Sequence, residues 1–92
     1  MSNKIWPKEI MIPAEILFNN NLINSDKILF GVIKSFDEGE GCSASNNCLS
    51  EFLQVSTTTI SIGISRLKKN GVIKEIGFDG RKRILKPIIY NL

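Results

Sequence analysis

The sequence predicts one small α+β domain, mainly helical and closed by a C-terminal β-hairpin. Three observations predict it. Apolar residues recur at helical spacing over 25–36, 45–53 and 57–70, the first two segments opening on a serine and the third directly preceded by one, Ser56. Two runs rich in β-branched and aliphatic residues, 72–78 and 82–89, then flank Asp79 and Gly80. Finally, 92 residues suffice for one core and not comfortably for two, so residues 1–92 are read as a single domain.

The elements follow in chain order. Ile10, Met11, Ile12 and Pro13 make an extended lead-in, because proline disfavours helix in the residue before it and tolerates the first turn of a helix after it. A short helix through Ala14 to Phe18 is broken by Asn19, Asn20 and Asn21. Ser25 is the expected N-cap of the next helix, with Asp26 in the first turn where the dipole favours negative charge. Ile28, Leu29, Val32, Ile33 and Phe36 lay one apolar stripe along it, and Gly39 and Gly41 stop it. Ser45 caps a helix carrying Cys48, Leu49, Phe52 and Leu53, Gln54 and Val55 form a tight turn, and Ser56 caps a helix running from Thr57 to about Asn70. Gly71 stands where a left-handed C-cap is expected.

At 100° per residue, Ile60, Gly63, Ile64 and Leu67 fall within one arc of that last helix. Thr58, Ile62, Ser65 and Lys69 fall opposite, flanked by Ser61 and Arg66. The two final runs make a hairpin across Asp79 and Gly80, with Pro87 near the end of its strand or at a sheet edge. Two registers stay open: one faces Glu75 with Arg83 and Ile73 with Leu85, the other Ile76 with Ile84.

Composition excludes several function classes. With no histidine, the commonest general base, zinc ligand and triad member is missing, and two cysteines cannot close a four-ligand metal site. No enzyme activity, metal, cofactor or small-molecule ligand is expected. Asp37, Glu38 and Glu40 gather at a helix end, but with no histidine, cysteine pair or glycine-rich phosphate loop nearby they are expected to be solvent-exposed. Cys42 and Cys48 are expected as buried thiols in a reducing, cytoplasmic setting, since one bridge does not make a disulfide scaffold. No apolar run approaches the roughly 20 residues of a membrane span.

The net charge of +3 is unevenly spread. Residues 1–45 hold four lysines against six carboxylates, a net −2, and residues 46–92 hold eight cations against three carboxylates, a net +5. Such asymmetry points to a polyanion partner or to an ordinary solvated surface.

The order of parts narrows that choice. The stretch from Ser45 to Ile73 resembles a winged helix-turn-helix: a capped helix with a central Leu49, a turn Leu53-Gln54-Val55-Ser56, a helix with Thr59, Ile60, Gly63, Ile64 and Leu67, and then Gly71-Val72-Ile73. The helix-turn-helix spans about 45–70 and the wing about 72–89. With the Ile12-Pro13 lead-in, the short helix and the Ser25 to Phe36 helix, the chain is similar over about residues 10–87 to the N-terminal helix-turn-helix domain of phage and plasmid replication proteins and related transcriptional regulators.

The resemblance implies double-stranded DNA as the partner, in replication initiation or transcription control. The 57–69 segment would be the recognition helix, since a major groove admits one α-helix. Thr57, Thr58, Ser61 and Ser65 would donate to phosphate or base, Ile62 would rest on a thymine methyl, and Arg66 and Lys69 would meet phosphate. The wing would carry Arg81, Lys82 and Arg83 along the backbone or into the minor groove, with Lys74 and Lys86 as further phosphate contacts.

Two departures stand out. Thr57, Thr58 and Thr59 occupy positions where many relatives have Arg or Lys, and Gln54 stands where glycine is usual. The rival reading is a protein-interaction module that keeps the fold and uses the Ile62 face as its interface. That face could equally cover the N-terminal arm or a partner in a homodimer. Trp6, with Ile5 and Pro7, is read as a core plug tethering that arm, and an arm reaching a second subunit stays open. The apolar tail Ile88 to Leu92 stops abruptly, which suits packing on the core or a partner, or continuation into a longer protein.

Overall fold

Pro13 precedes a single helical turn, α1 (Ala14–Leu17), whose Ile16 is buried. In the computed structural model, residues 7–37, 39–79 and 82–88 are described, with Phe78, Asp79 and Lys82 described through their backbone only. The readings of Ile5, Trp6, Glu38, Gly80, Arg81 and the tail from Ile89 onward lie outside the described residues. Three longer helices follow, α2 (Asn24–Ser35), α3 (Asn46–Leu53) and α4 (Thr57–Lys69), and then an antiparallel hairpin of β1 (Ile73–Asp79) and β2 (Lys82–Pro87). The architecture is α+β, as expected.

Helix α2 starts one residue before the expected cap. Ile23 is its N-cap and supplies no side-chain hydrogen bond, so Ser25 lies inside the first turn. The helix ends at Ser35, ahead of the glycines expected to stop it, with Phe36 as its C-cap. Asp37 then folds the chain, its Oδ1 accepting from the N–H groups of Gly39 and Gly41, each at 2.8 Å. The lead-in crosses α2 at Gly31, where a Cβ would stand 2.5 Å from Ile10 Cγ2. Lys27 Nζ donates to Leu17 O at 2.6 Å and ties α1 to α2.

Helices α3 and α4 are capped as the serines predict: Ser45 Oγ accepts from Cys48 N–H and Ser56 Oγ from Thr59 N–H, both at 3.1 Å. Their C-termini close alike. After α4, Val72 N–H reaches back to Leu67 O and Gly71 N–H to Lys68 O, with Gly71 at φ 74°. After α3, Val55 N–H reaches Ser50 O at 3.1 Å, and the left-handed position falls to Gln54 at φ 61°, ψ 42°. A side chain there costs about 1 kcal/mol relative to glycine, because Cβ crowds the following carbonyl.

The buried set of α4 is Ile60, Gly63, Ile64 and Leu67, as the arithmetic predicts. They meet Leu29, Phe30 and Ile33 of α2, Leu49 of α3, and Ile73 and Leu85 of the hairpin in one core. Phe36 and Phe52 pack edge to face with ring centroids 5.6 Å apart, joining the end of α2 to α3.

The hairpin follows neither expected register throughout. Glu75 pairs with Leu85 and Gly77 with Ile84, so Ile76 is an extra residue in a bulge; Phe78 pairs with Arg83. The core-side half keeps the frame of the second register, and the bulge moves Ile76 out of its place opposite Ile84. Asp79 belongs to β1, where it pairs with Lys82, and Pro87 ends β2 opposite Ile73.

The segment before α3 is more than a link. Cys42 N–H donates to Leu85 O at 2.7 Å and Leu85 N–H to Cys42 O at 2.9 Å, a bridge on the edge of β2 away from β1. The hairpin is thereby stitched to the helical body through its second strand. Cys42 is fully buried, Cys48 half-buried, and both are free thiols. Burial pushes the Cys42 thiol up, as expected for an inert core cysteine.

Candidate nucleic-acid interface

The outward face of α4 is defined by what its inward face buries. Thr57, Thr58, Ser61, Ile62, Ser65 and Lys69 are all exposed, and Ile62 keeps 48% of its surface in solvent. Ser56 and Thr59 are occupied at the helix start, their hydroxyls 2.9 Å apart. Their role is the cap.

Arg66, expected at phosphate, is turned toward α2. Its Nε donates to Asp26 Oδ2 at 2.8 Å and its Nη2 to Asp26 Oδ1 at 3.2 Å. Asp26 is 1% exposed, whereas the Arg66 side chain keeps 41% of its surface in solvent. The hydrogen bonds to Asp26 raise the Arg66 pKa above its ordinary value. Glycine at position 63 permits this approach of α4 to α2: a Cβ there would lie 2.7 Å from Leu29 Cδ2 and 3.5 Å from Asp26 Oδ1.

The hairpin cations divide by partner. Lys68 on α4 pairs with Glu75 on β1 at 2.9 Å. Lys86 Nζ donates to Asp37 Oδ2 at 3.2 Å and to Gly39 O at 3.0 Å. The three carboxylates near the end of α2 were expected in solvent. Asp37 is instead largely covered, at 14% side-chain exposure, because Lys86 and the two glycine N–H groups enclose it. Burial pushes its carboxyl up, but those three donors outweigh burial and hold it below the ordinary 3.8. Arg83, expected at the wing tip with Arg81 and Lys82, folds back: its Nη2 donates to Asn46 Oδ1 and to Ala44 O, while its Nε is buried without a partner. Lys74 and Lys69 are exposed.

No family model, curated protein or solved structure matches this chain.

Its own geometry therefore carries the functional argument. The structure places one exposed helix face of hydroxyls, one isoleucine and Lys69 on the same body as a hairpin bearing Lys74. Of the cations proposed as contacts, Arg66, Arg83 and Lys86 have partners within the chain, with Arg66 and Lys86 still keeping 41% and 34% of their side-chain surface in solvent. Among the described residues, no three His, Cys, Asp or Glu side chains gather as metal ligands, and no helix is long and apolar enough to cross a membrane.

Three features escaped sequence reasoning. Asp26 reads from the sequence as a dipole-favoured first-turn residue, and its burial against α4, beside Gly63 and Arg66, depends on partners some 40 positions away. The Asp37-x-Gly39-x-Gly41 spacing was a usable signal, since short acidic side chains fold onto nearby backbone N–H groups. A groove of about 150 Å³ also runs between α2 and the α3–α4 turn, lined by Ile28, Leu29, Val55, Thr59 and Gly63. It arises from the packing angle of elements far apart in the chain.

Proposed function

We propose that this is a winged helix-turn-helix DNA-binding domain that sets α4 in the major groove and the hairpin, as its wing, against the backbone. The observation that carries this reading is the pairing of α4's polar, exposed face with a hairpin that the Cys42–Leu85 bridge fixes to the same body. A helix held against two others can present its outward residues to base edges, and Lys69 and Lys74 supply positive charge beside it. The biological setting that suits the domain is replication initiation or transcription control in a phage, plasmid or bacterial cytoplasm. Selection of bound duplexes from a random pool tests the reading: a recovered consensus supports it, and a pool that stays random overturns it.

One observation favours a second reading, a protein-interaction module. Ile28 and Val55, 44% and 40% exposed, border the groove between α2 and the α3–α4 turn. If this groove is the working surface, Val55→Asp abolishes capture of a protein partner and leaves duplex binding untouched. A Val55→Asp variant that loses duplex binding instead removes this reading.

A further inference from the structure

We propose that the exposed face of α4 recognises thymine methyl groups, making the domain's partner a duplex whose major groove presents thymines at one or two fixed positions. This rests on the DNA-binding reading and specifies its readout.

Base identity in the major groove is read most strongly by planar side chains with two polar atoms: Arg to guanine, and Asn or Gln to adenine. Three such residues lie on or beside α4, and each is engaged within the fold. Arg66 spends its Nε and Nη2 edge on Asp26. Asn70 Nδ2 donates to Arg66 O at 2.9 Å. Gln54 Nε2 donates to Glu51 O at 3.0 Å. The outward face retains Thr58, Ser61, Ile62, Ser65 and Lys69.

Of these, Ser and Thr hydroxyls accept either donor or acceptor edges and discriminate weakly. Ile62 differs. It projects an aliphatic chain from that face, and its neighbours at i−4, i−3, i−1, i+3 and i+4 are Thr58, Thr59, Ser61, Ser65 and Arg66, with Lys69 two turns on. A single exposed isoleucine among polar helix neighbours supplies little of the apolar area of a stable protein interface, which buries roughly 800 Å² per partner. It matches a thymine C5-methyl, the one apolar group the major groove offers.

The test uses the full chain and duplexes selected from a random pool, with thymines replaced one at a time by deoxyuridine, which removes the methyl and keeps every hydrogen-bonding group. Fluorescence anisotropy at low salt should show about fourfold weaker binding at one or two positions, the equivalent of about 0.8 kcal/mol for one methyl-sized group, and no change elsewhere. Ile62→Ala, at an exposed position that leaves the core intact, should lose a similar factor on the thymine duplex and no longer distinguish uracil from thymine. Equal affinity of the wild-type chain for thymine and uracil duplexes overturns the inference and leaves DNA binding standing, as does full discrimination retained by Ile62→Ala. Absence of binding to any duplex overturns both. A wild-type dimer that Ile62→Ala converts to a monomer overturns the inference by assigning the face to a second copy of the chain.

Discussion

Asp26 near the start of α2 and Arg66 near the end of α4 form a two-point ion pair, 2.8 and 3.2 Å long, across the helix crossing that Gly63 opens. The pair is asymmetric, with a fully buried carboxylate and a guanidinium still half in water. Removing Arg66 strands a buried charge, whereas removing Asp26 leaves an arginine that water can solvate. Arg66→Ala should therefore lower the urea midpoint more than Asp26→Ala does, and the double variant Asp26→Asn/Arg66→Ala should recover part of the loss. The opposite order of the two single variants would refute this account of the crossing.

Gln54 occupies a left-handed position that Gly71 fills at the equivalent end of α4. Gln54→Gly should stabilise the domain by about 0.5–1 kcal/mol, because relief of the Cβ clash exceeds the added chain entropy and the loss of one exposed hydrogen bond to Glu51 O. Thermal melting measures it, and a lower Tm would contradict the backbone argument.

Much of this was readable from residue order. The serine caps, the C-terminal Gly71 and the buried arc Ile60, Gly63, Ile64 and Leu67 depend on neighbours within a few positions, so periodicity and cap chemistry predict them. What escaped depends on partners far along the chain. Nothing beside Cys42 marks it as a one-residue strand, because its pattern is completed only by Leu85. The bulge at Ile76 is a property of two strands together. Arg83 reads as part of a cationic tip, and its return to Asn46 and Ala44 depends on where the hairpin docks.

Asp37 fixes a pH dependence with a definite sign. Its carboxyl pKa is lower in the folded state than the ordinary 3.8, so its contribution is complete above that value and disappears as pH falls through the folded pKa. Asp37→Asn should thus be less stable than wild type at pH 7, and the gap should close as pH drops below 3.8. Urea unfolding of both proteins across that range decides it, and a gap that widens in acid would contradict the assignment.

The cations of the hairpin should separate into two kinds. Arg83→Ala should destabilise the fold by about 1 kcal/mol, since it removes the link from β2 to Asn46 and Ala44. Lys74→Ala should leave the melting temperature within about 1 °C of wild type, as for a surface substitution. It should still reduce the salt dependence of duplex binding by about one phosphate equivalent. Paired melting and binding curves test both statements, and a Lys74→Ala variant with unaltered salt dependence would take that lysine off the backbone.

The proposed function depends on charge meeting charge at a polyanion. Its most direct test is a salt titration of duplex binding by the full chain. Log Kobs against log salt concentration should fall linearly with a slope of about −2 to −4, the signature of two to four neutralised phosphates. Binding that is undetectable at low salt, or an affinity that does not change with salt, would contradict a DNA-binding domain.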